Sequence, residues 1–252
     1  MKLTVIGCSG SYPGPDSPAS CYLLESDQAG RTWRVLLDLG SGALGTLHRY
    51  ADPLTVDAIL LTHLHPDHYF DISGLYVMWK YHPAGPSRRI PVWGPPGTAV
   101  QVARAYGLPE HPGMAEEFDF REYDEGPIEV GPFTIRQTAV AHPVPGYAFR
   151  VEAGGGVLVY SGDTGPCPAL DDLAARADLL LCEAAFVEAG DNPKDLHLTG
   201  AQAGEVATRA RVDTLVLTHI PPWHDQKQVL VEARGTFAGV VELAATGATY
   251  SL

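Results

Sequence analysis

The chain has 252 residues, 45% of them apolar and 19% charged, with a formal net charge of −13. That balance excludes a disordered chain, and no apolar run of about 18 residues is present to span a membrane as a helix. The excess of Asp and Glu disfavours long nucleic acids as partners, because phosphate contacts draw on Lys and Arg.

The first residues, Met1-Lys2-Leu3-Thr4-Val5-Ile6-Gly7, hold too short an apolar stretch for a secretory leader, so a cytoplasmic location is expected. Apolar runs of strand length follow at 3–6, 21–24, 35–37, 58–61, 90–93, 133–135, 157–160, 179–181, 215–217 and 240–243. Gly, Pro and Asp punctuate them. Helical spacing is read over 69–82, where Ile72, Leu75, Tyr76 and Trp79 share a face, and over 169–177, 199–211 and 226–237. Thr199 is placed to cap the third of these helices through its hydroxyl. The acidic stretch 116–129 reads as a solvated edge or loop. No low-complexity linker divides the chain, so one domain over 1–252 is expected, with sheets sandwiched by helices. Cys8, Cys21, Cys167 and Cys182 lack CxxC or finger spacing and read as reduced, mostly buried thiols.

One pattern repeats. Leu60-Leu61-Thr62-His63 and Val216-Leu217-Thr218-His219 are both apolar strands ending in Thr-His, and Val157-Leu158-Val159-Tyr160-Ser161-Gly162-Asp163 ends on an acid. Ligands gather beyond the carboxyl ends of strands in layered folds, so these strands are expected to deliver side chains to one edge. The densest signal is His63-Leu64-His65-Pro66-Asp67-His68, four metal-capable side chains in six residues. His63 and His65, two apart on an extended segment, point the same way and can grip one ion. Asp67 and His68 follow a turn that Pro66 favours, and can face a second ion.

This hexad resembles the signature of the metallo-β-lactamase superfamily, whose fold is a four-layer αββα sandwich of the α/β (α+β) class. Ala141-His142-Pro143, Ser161-Gly162-Asp163-Thr164 and Leu217-Thr218-His219 match the remaining motifs in order. The resemblance assigns His63, His65 and His142 to one divalent metal, Asp67, His68 and His219 to a second, and Asp163 to both. It implies two ions per chain, with zinc favoured and manganese or iron able to fill similar sites. Asp67 is also expected to orient the attacking water.

The segment Asp195-Leu196-His197-Leu198-Thr199-Gly200 resembles the corresponding motif of the RNase Z-like phosphodiesterase branch. There the His stabilises the substrate phosphate or protonates the leaving group. The matching acid is Glu183 in Leu181-Cys182-Glu183-Ala184-Ala185, where RNase Z carries His-Glu-Ala-Thr; the chain departs at Cys182 and Ala185. RNase Z also has a long basic exosite arm, whereas here Tyr147-Ala148-Phe149-Arg150-Val151-Glu152 leads to Ser161-Gly162-Asp163 through a short Gly-rich hairpin with no arm. The N-terminal segment from Gly7 to Leu24, Tyr81-His82-Pro83 and Thr218-His219-Ile220-Pro221-Pro222-Trp223 look like bacterial atypical class II cyclic-nucleotide phosphodiesterases. That resemblance implies hydrolysis of 3′,5′-cyclic nucleotides, cAMP among them, to 5′-nucleotides. Catalytic roles then fall to Asp67, His197 and Glu183. The expected partner is a small anionic phosphodiester; a homodimer is compatible with the RNase Z analogy. The alternatives are an RNase Z-like endoribonuclease acting on the 3′ end of tRNA, and a lactonase or thioesterase of the same fold.

Overall fold

The computed structural model describes residues 1–85, 88–189 and 191–252. In chain order the strands are β1 Lys2–Gly7, β2 Cys21–Gln28, β3 Arg31–Leu37, β4 Ala58–Leu60, β5 Ile90–Gly94, β6 Phe118–Glu122, β7 Ile128–Val130, β8 Phe133–Ala139, β9 Tyr147–Ala153, β10 Gly156–Tyr160, β11 Leu179–Glu183, β12 Thr214–Thr218, β13 Val240–Leu243 and β14 Thr249–Ser251. The helices are α1 Ala43–Leu47, α2 Pro66–Tyr69, α3 Ile72–Tyr81, α4 Thr98–Tyr106, α5 Pro168–Ala174, α6 Gly200–Ala210 and α7 Gln226–Thr236.

Two seven-stranded sheets form, in the orders β14-β1-β2-β3-β4-β5-β6 and β13-β12-β11-β10-β9-β8-β7. Each begins as an antiparallel meander and continues as parallel strands: β1 to β3 then β3 to β6, and β7 to β10 then β10 to β13. The architecture follows from strands buried on both faces. On β2, Tyr22 and Leu24 enter the core between the sheets, while Cys21 and Leu23 enter the core beneath the helices. On β11, Leu179 and Leu181 face the first sheet and Leu180 and Cys182 face the helices. A strand with period two and apolar residues on both sides must be covered twice. The helices α1, α3 and α4 cover the first sheet, and α5, α6 and α7 the second. The four layers are those of a metallo-β-lactamase sandwich. Among the described residues, no helix is long and apolar enough to cross a membrane.

Several local expectations change. The helix read over 69–82 divides into α2 and α3. Within the acidic stretch 116–129, Phe118–Glu122 is an edge strand paired parallel to β5, with Phe118 fully buried and acidic side chains outward. Charge on the exposed side of an edge strand protects it from stray pairing, which hid the strand behind its polar residues. Helix α4 went unread; it is bounded by Gly97 and Gly107, both left-handed. Thr199 does cap α6, in a reciprocal capping box with Gln202. Gly154 and Gly155 make the two-residue turn between β9 and β10, with φ of +61° and +89°. That is the backbone of a type I′ hairpin, which glycine adopts without strain. All four cysteines are free thiols, with Cys8, Cys21 and Cys182 buried.

Candidate metal centre

The site is assembled at the carboxyl ends of the parallel strands of both sheets. From the first sheet, β3 leads into Asp38, and β4 leads through Leu61 into Thr62 and His63. From the second, β10 leads to Asp163, β11 ends on Glu183 and β12 leads to His219. The β8–β9 connection adds His142. His65 is extended, and Pro66 then starts α2. Pro suits the first helical turn because its missing N–H has no partner there. The change from strand to helix separates the first pair of histidines from Asp67 and His68.

Among the described residues the ligand-capable atoms converge in three overlapping groups, two of four residues and a smaller third of Asp163, Glu183 and His197. His63, His65, His142 and Asp163 offer donor atoms all within 4.8 Å of one another, and so do Asp67, His68, Asp163 and His219. Asp163 belongs to all three. His63 Nε2 lies 3.0 Å from His65 Nδ1, and His142 Nε2 lies 3.3 Å from the same His65 atom. On the other side, Asp163 Oδ1 stands 3.2 Å from His68 Nε2, and its Oδ2 stands 3.2 Å from His219 Nε2. Asp67 Oδ2 is 3.6 Å from His68 Nε2 and 3.7 Å from His219 Nε2.

These residues fit divalent cations. His68 Nε2 and Asp163 Oδ1 are both buried and both lack a hydrogen-bond partner. Two such atoms buried 3.2 Å apart are costly unless a third group satisfies them. Burial holds His63 well below the usual imidazole range, with the neighbouring His68 charge adding to it. Burial also lowers His65 and His142, against the attraction of Asp163. Lowered values favour the neutral imidazole, the form that binds metal, at these three; at His68 burial also lowers the value, but the Asp163 and Asp38 charges raise it well above the usual imidazole range. Asp163 is held well below the usual carboxylate range: burial alone would raise it, but His219, His68 and His63 outweigh that.

The outward ring nitrogens are fixed by a set of partners that sequence reasoning had not found. Thr62 Oγ1 sits 3.1 Å from His63 Nδ1, Ser20 Oγ sits 3.0 Å from His219 Nδ1, and the Leu196 carbonyl sits 3.0 Å from His142 Nδ1. His68 Nδ1 meets Asp38 Oδ2 at 2.7 Å. Asp38 is fully buried and also accepts from the Thr62 amide at 2.7 Å and the Tyr160 hydroxyl at 2.8 Å. Partners of this kind set the tautomer and aim the inner nitrogen. The one sequence signal for Asp38 is its place: an acid directly after an apolar strand and before Leu39-Gly40.

Asp38 and His219 also share a backbone state, with φ of +59° and +56°. A residue with a side chain held there costs roughly 1–3 kcal/mol, and such positions collect at functional sites. Gly40 and Gly10 permit the surrounding loops to close. A Cβ on Gly40 would lie 1.9 Å from the Asp67 carbonyl, and one on Gly10 would lie 2.2 Å from the His219 carbonyl. Glycine is needed at both.

Beside the two four-residue groups stands a dyad. His197 Nδ1 is 2.9 Å from Glu183 Oε1 and 4.0 Å from Asp163 Oδ2. Glu183 is fully buried and accepts from the Thr164 amide at 2.8 Å and the Ala185 amide at 3.0 Å. Burial lowers the His197 value, but the Glu183 charge and hydrogen bond raise it more, to about 9. The structure thus brings together all nine residues singled out from sequence: His63, His65, Asp67, His68, His142, Asp163, His219, Glu183 and His197.

Replacing Asp38 by Asn tests the outer partners. An amide keeps the size but loses the charge facing His68, so metal affinity should fall by about 10–100-fold with the fold intact. Chelator competition with far-ultraviolet circular dichroism reads both quantities. Unchanged affinity would remove Asp38 from the account of the site.

Comparison with known proteins agrees with this geometry. The beta-lactamase superfamily domain matches residues 33–220. An uncharacterised Mycobacterium leprae protein, ML1173, is 44% identical over all of this chain and 89% of its own length. The probable metallo-hydrolase YhfI of Bacillus subtilis is 31% identical over 98% of both chains. Its crystal structure superposes with a TM-score of 0.87 over 99% of this chain and 98% of that one. A ribonuclease Z of Mycobacterium bovis is 31% identical over 88% of this chain and 86% of its own. The chain belongs to the beta-lactamase superfamily, in its RNase Z-like branch, and is a metal-dependent hydrolase.

Proposed function

We propose that this chain hydrolyses small phosphodiesters, with 3′,5′-cyclic nucleotides, cAMP among them, converted to 5′-nucleotides. The observation that carries the reading is the His197–Glu183 dyad, 2.9 Å apart and adjoining Asp163. His63, His65 and His142 would hold one divalent ion, Asp67, His68 and His219 the other, and Asp163 both; the nitrogen and oxygen donors favour zinc. Two bound ions supply Lewis acidity toward the phosphoryl oxygens and make water a competent nucleophile near neutral pH.

The chain's own residues supply the rest. Asp67 accepts a proton from the attacking water as its oxygen bonds to phosphorus. The bond from phosphorus to the 3′ oxygen breaks, and the electron pair leaves on that oxygen. His197, protonated and held through Nδ1 by Glu183, gives the departing oxygen the proton from Nε2. An alkoxide is a poor leaving group without that proton, which is why the dyad points to alkyl phosphodiesters. The small substrate is favoured by the net charge of −13 and by the two-residue turn between β9 and β10, which leaves no arm at that hairpin.

The test is a side-by-side incubation of metal-loaded protein with cAMP, cGMP, bis(p-nitrophenyl) phosphate and a precursor tRNA. Cyclic nucleotides should yield 5′-nucleotides while the precursor tRNA stays intact. Efficient, salt-sensitive trimming of the precursor would overturn the reading in favour of a nuclease, the activity named for the ribonuclease Z relative.

A further inference from the structure

We propose that the cavity beside His197 is the subsite for the organic part of the leaving group, and that it takes a nucleoside. The inference rests on the phosphodiesterase reading above. The cavity measures about 200 Å³ and is walled by His197, Phe186, Pro166, Asn192, Pro193 and Lys194. It lies on the dyad side of the site, sharing the His197 ring with it. A proton donor must touch the leaving oxygen, so whatever that oxygen carries continues past His197. The cavity is where such a group would lodge.

Its walls are preformed. Asp195, with φ +54°, packs so closely on Gly165 that a Cβ there would lie 2.7 Å from the Asp195 Cα. The Leu196 carbonyl is bound to His142 Nδ1 at 3.0 Å. Phe186 stands edge-on to His197, ring centres 5.0 Å apart. Asp195 and Leu196 at one end of the wall are therefore tied to the metal centre, and Phe186 at the other packs on the proton donor. Fixed walls keep the leaving oxygen in register with Nε2.

Size and lining select the ligand. Pockets for drug-sized molecules run from about 300 Å³ upward, so this one suits a single ring-bearing unit rather than a polymer. Two prolines and a phenylalanine offer flat apolar contact, the Lys194 ammonium can donate to ring nitrogens and sugar hydroxyls, and the Asn192 side-chain oxygen, its nitrogen donating to the Val187 carbonyl at 2.8 Å, can accept from an amino group or a hydroxyl. Another aromatic surface, the exposed pair of Tyr12 from the N-terminal loop and Trp223 just after His219, with ring centres 5.5 Å apart, shares no residue with the cavity.

The test titrates the metal-loaded full chain with adenosine, which has no phosphate and is not turned over. Amide chemical shifts should move at Phe186, Asn192, Lys194 and His197. Asn192→Trp, which fills the cavity, should weaken adenosine binding by about tenfold or more, and the milder Lys194→Ala by about threefold. Circular dichroism and metal content establish that each variant is folded. Shifts centred on Tyr12 and Trp223, affinity unchanged in Asn192→Trp, or no binding at millimolar adenosine would each overturn the proposal. Adenosine in the cavity of a protein that leaves cyclic nucleotides uncut would uphold the subsite and sink the cyclic-nucleotide reading.

Discussion

Asp163→Asn should abolish turnover of every phosphodiester and release both ions. Asp163 alone belongs to both four-residue groups, and it faces His68 and His219 at 3.2 Å each and His63 at 3.6 Å. The amide keeps the volume, so packing around a residue only 3% exposed survives. It removes the one charge common to both sets of donors. Without bound ions the reaction forfeits a rate enhancement on the order of 10⁶-fold or more. His65→Ala should also silence the enzyme, because a two-ion clamp works as a unit, but it should strip the ion on its own side first. Elemental analysis of the purified variants, beside cAMP turnover, separates the two cases. Retention of two ions and wild-type turnover by Asp163→Asn would end the account of a shared carboxylate.

The site was legible because its chemistry is concentrated in short segments. His63 to His68 packs four donors into one strand-to-helix junction, and the Thr-His endings after β4 and β12 mark equivalent strand ends. Strands buried on both faces read as continuous apolar runs, so β10, β11 and β12 were plain. What escaped was built from contacts distant in sequence. Asp38 acquires its meaning only when it meets His68, thirty residues on, and Tyr160, another ninety-two beyond. A lone acid after a strand carries no such information. Ser20 is 199 residues from His219, the ring it orients. Edge strand β6 and helix α4 escaped for a different reason: their buried residues are few, and exposed charge or flanking glycine masks the period. Core and ligands are written in local pattern, whereas the partners that aim the ligands are written in topology.

His197→Ala should separate chemistry from metal binding. His197 Nδ1 is committed to Glu183 at 2.9 Å, and the ring stands outside both four-residue groups. Its loss should therefore leave metal content and fold near normal. Hydrolysis of cAMP should slow by roughly 10²–10⁴-fold, the usual worth of a positioned proton donor. Glu183→Gln should act in the same direction with smaller effect. The amide keeps contact with His197 but loses the charge that raises the imidazole to about 9, so less of the ring is protonated near neutral pH. Glu183 also receives the Thr164 amide at 2.8 Å, one residue from Asp163, so metal content must be measured in this variant as well. An ester of p-nitrophenol provides the contrast, because nitrophenolate departs without a proton. Its turnover should hardly change in either variant, and the ratio of the two substrates is the signature of a lost acid rather than a distorted site. If His197→Ala loses its ions, His197 is a ligand. If it cleaves cAMP at the full rate, the proton reaches the leaving oxygen by another route, and the dyad becomes a structural contact that ties the β11 end to the start of α6.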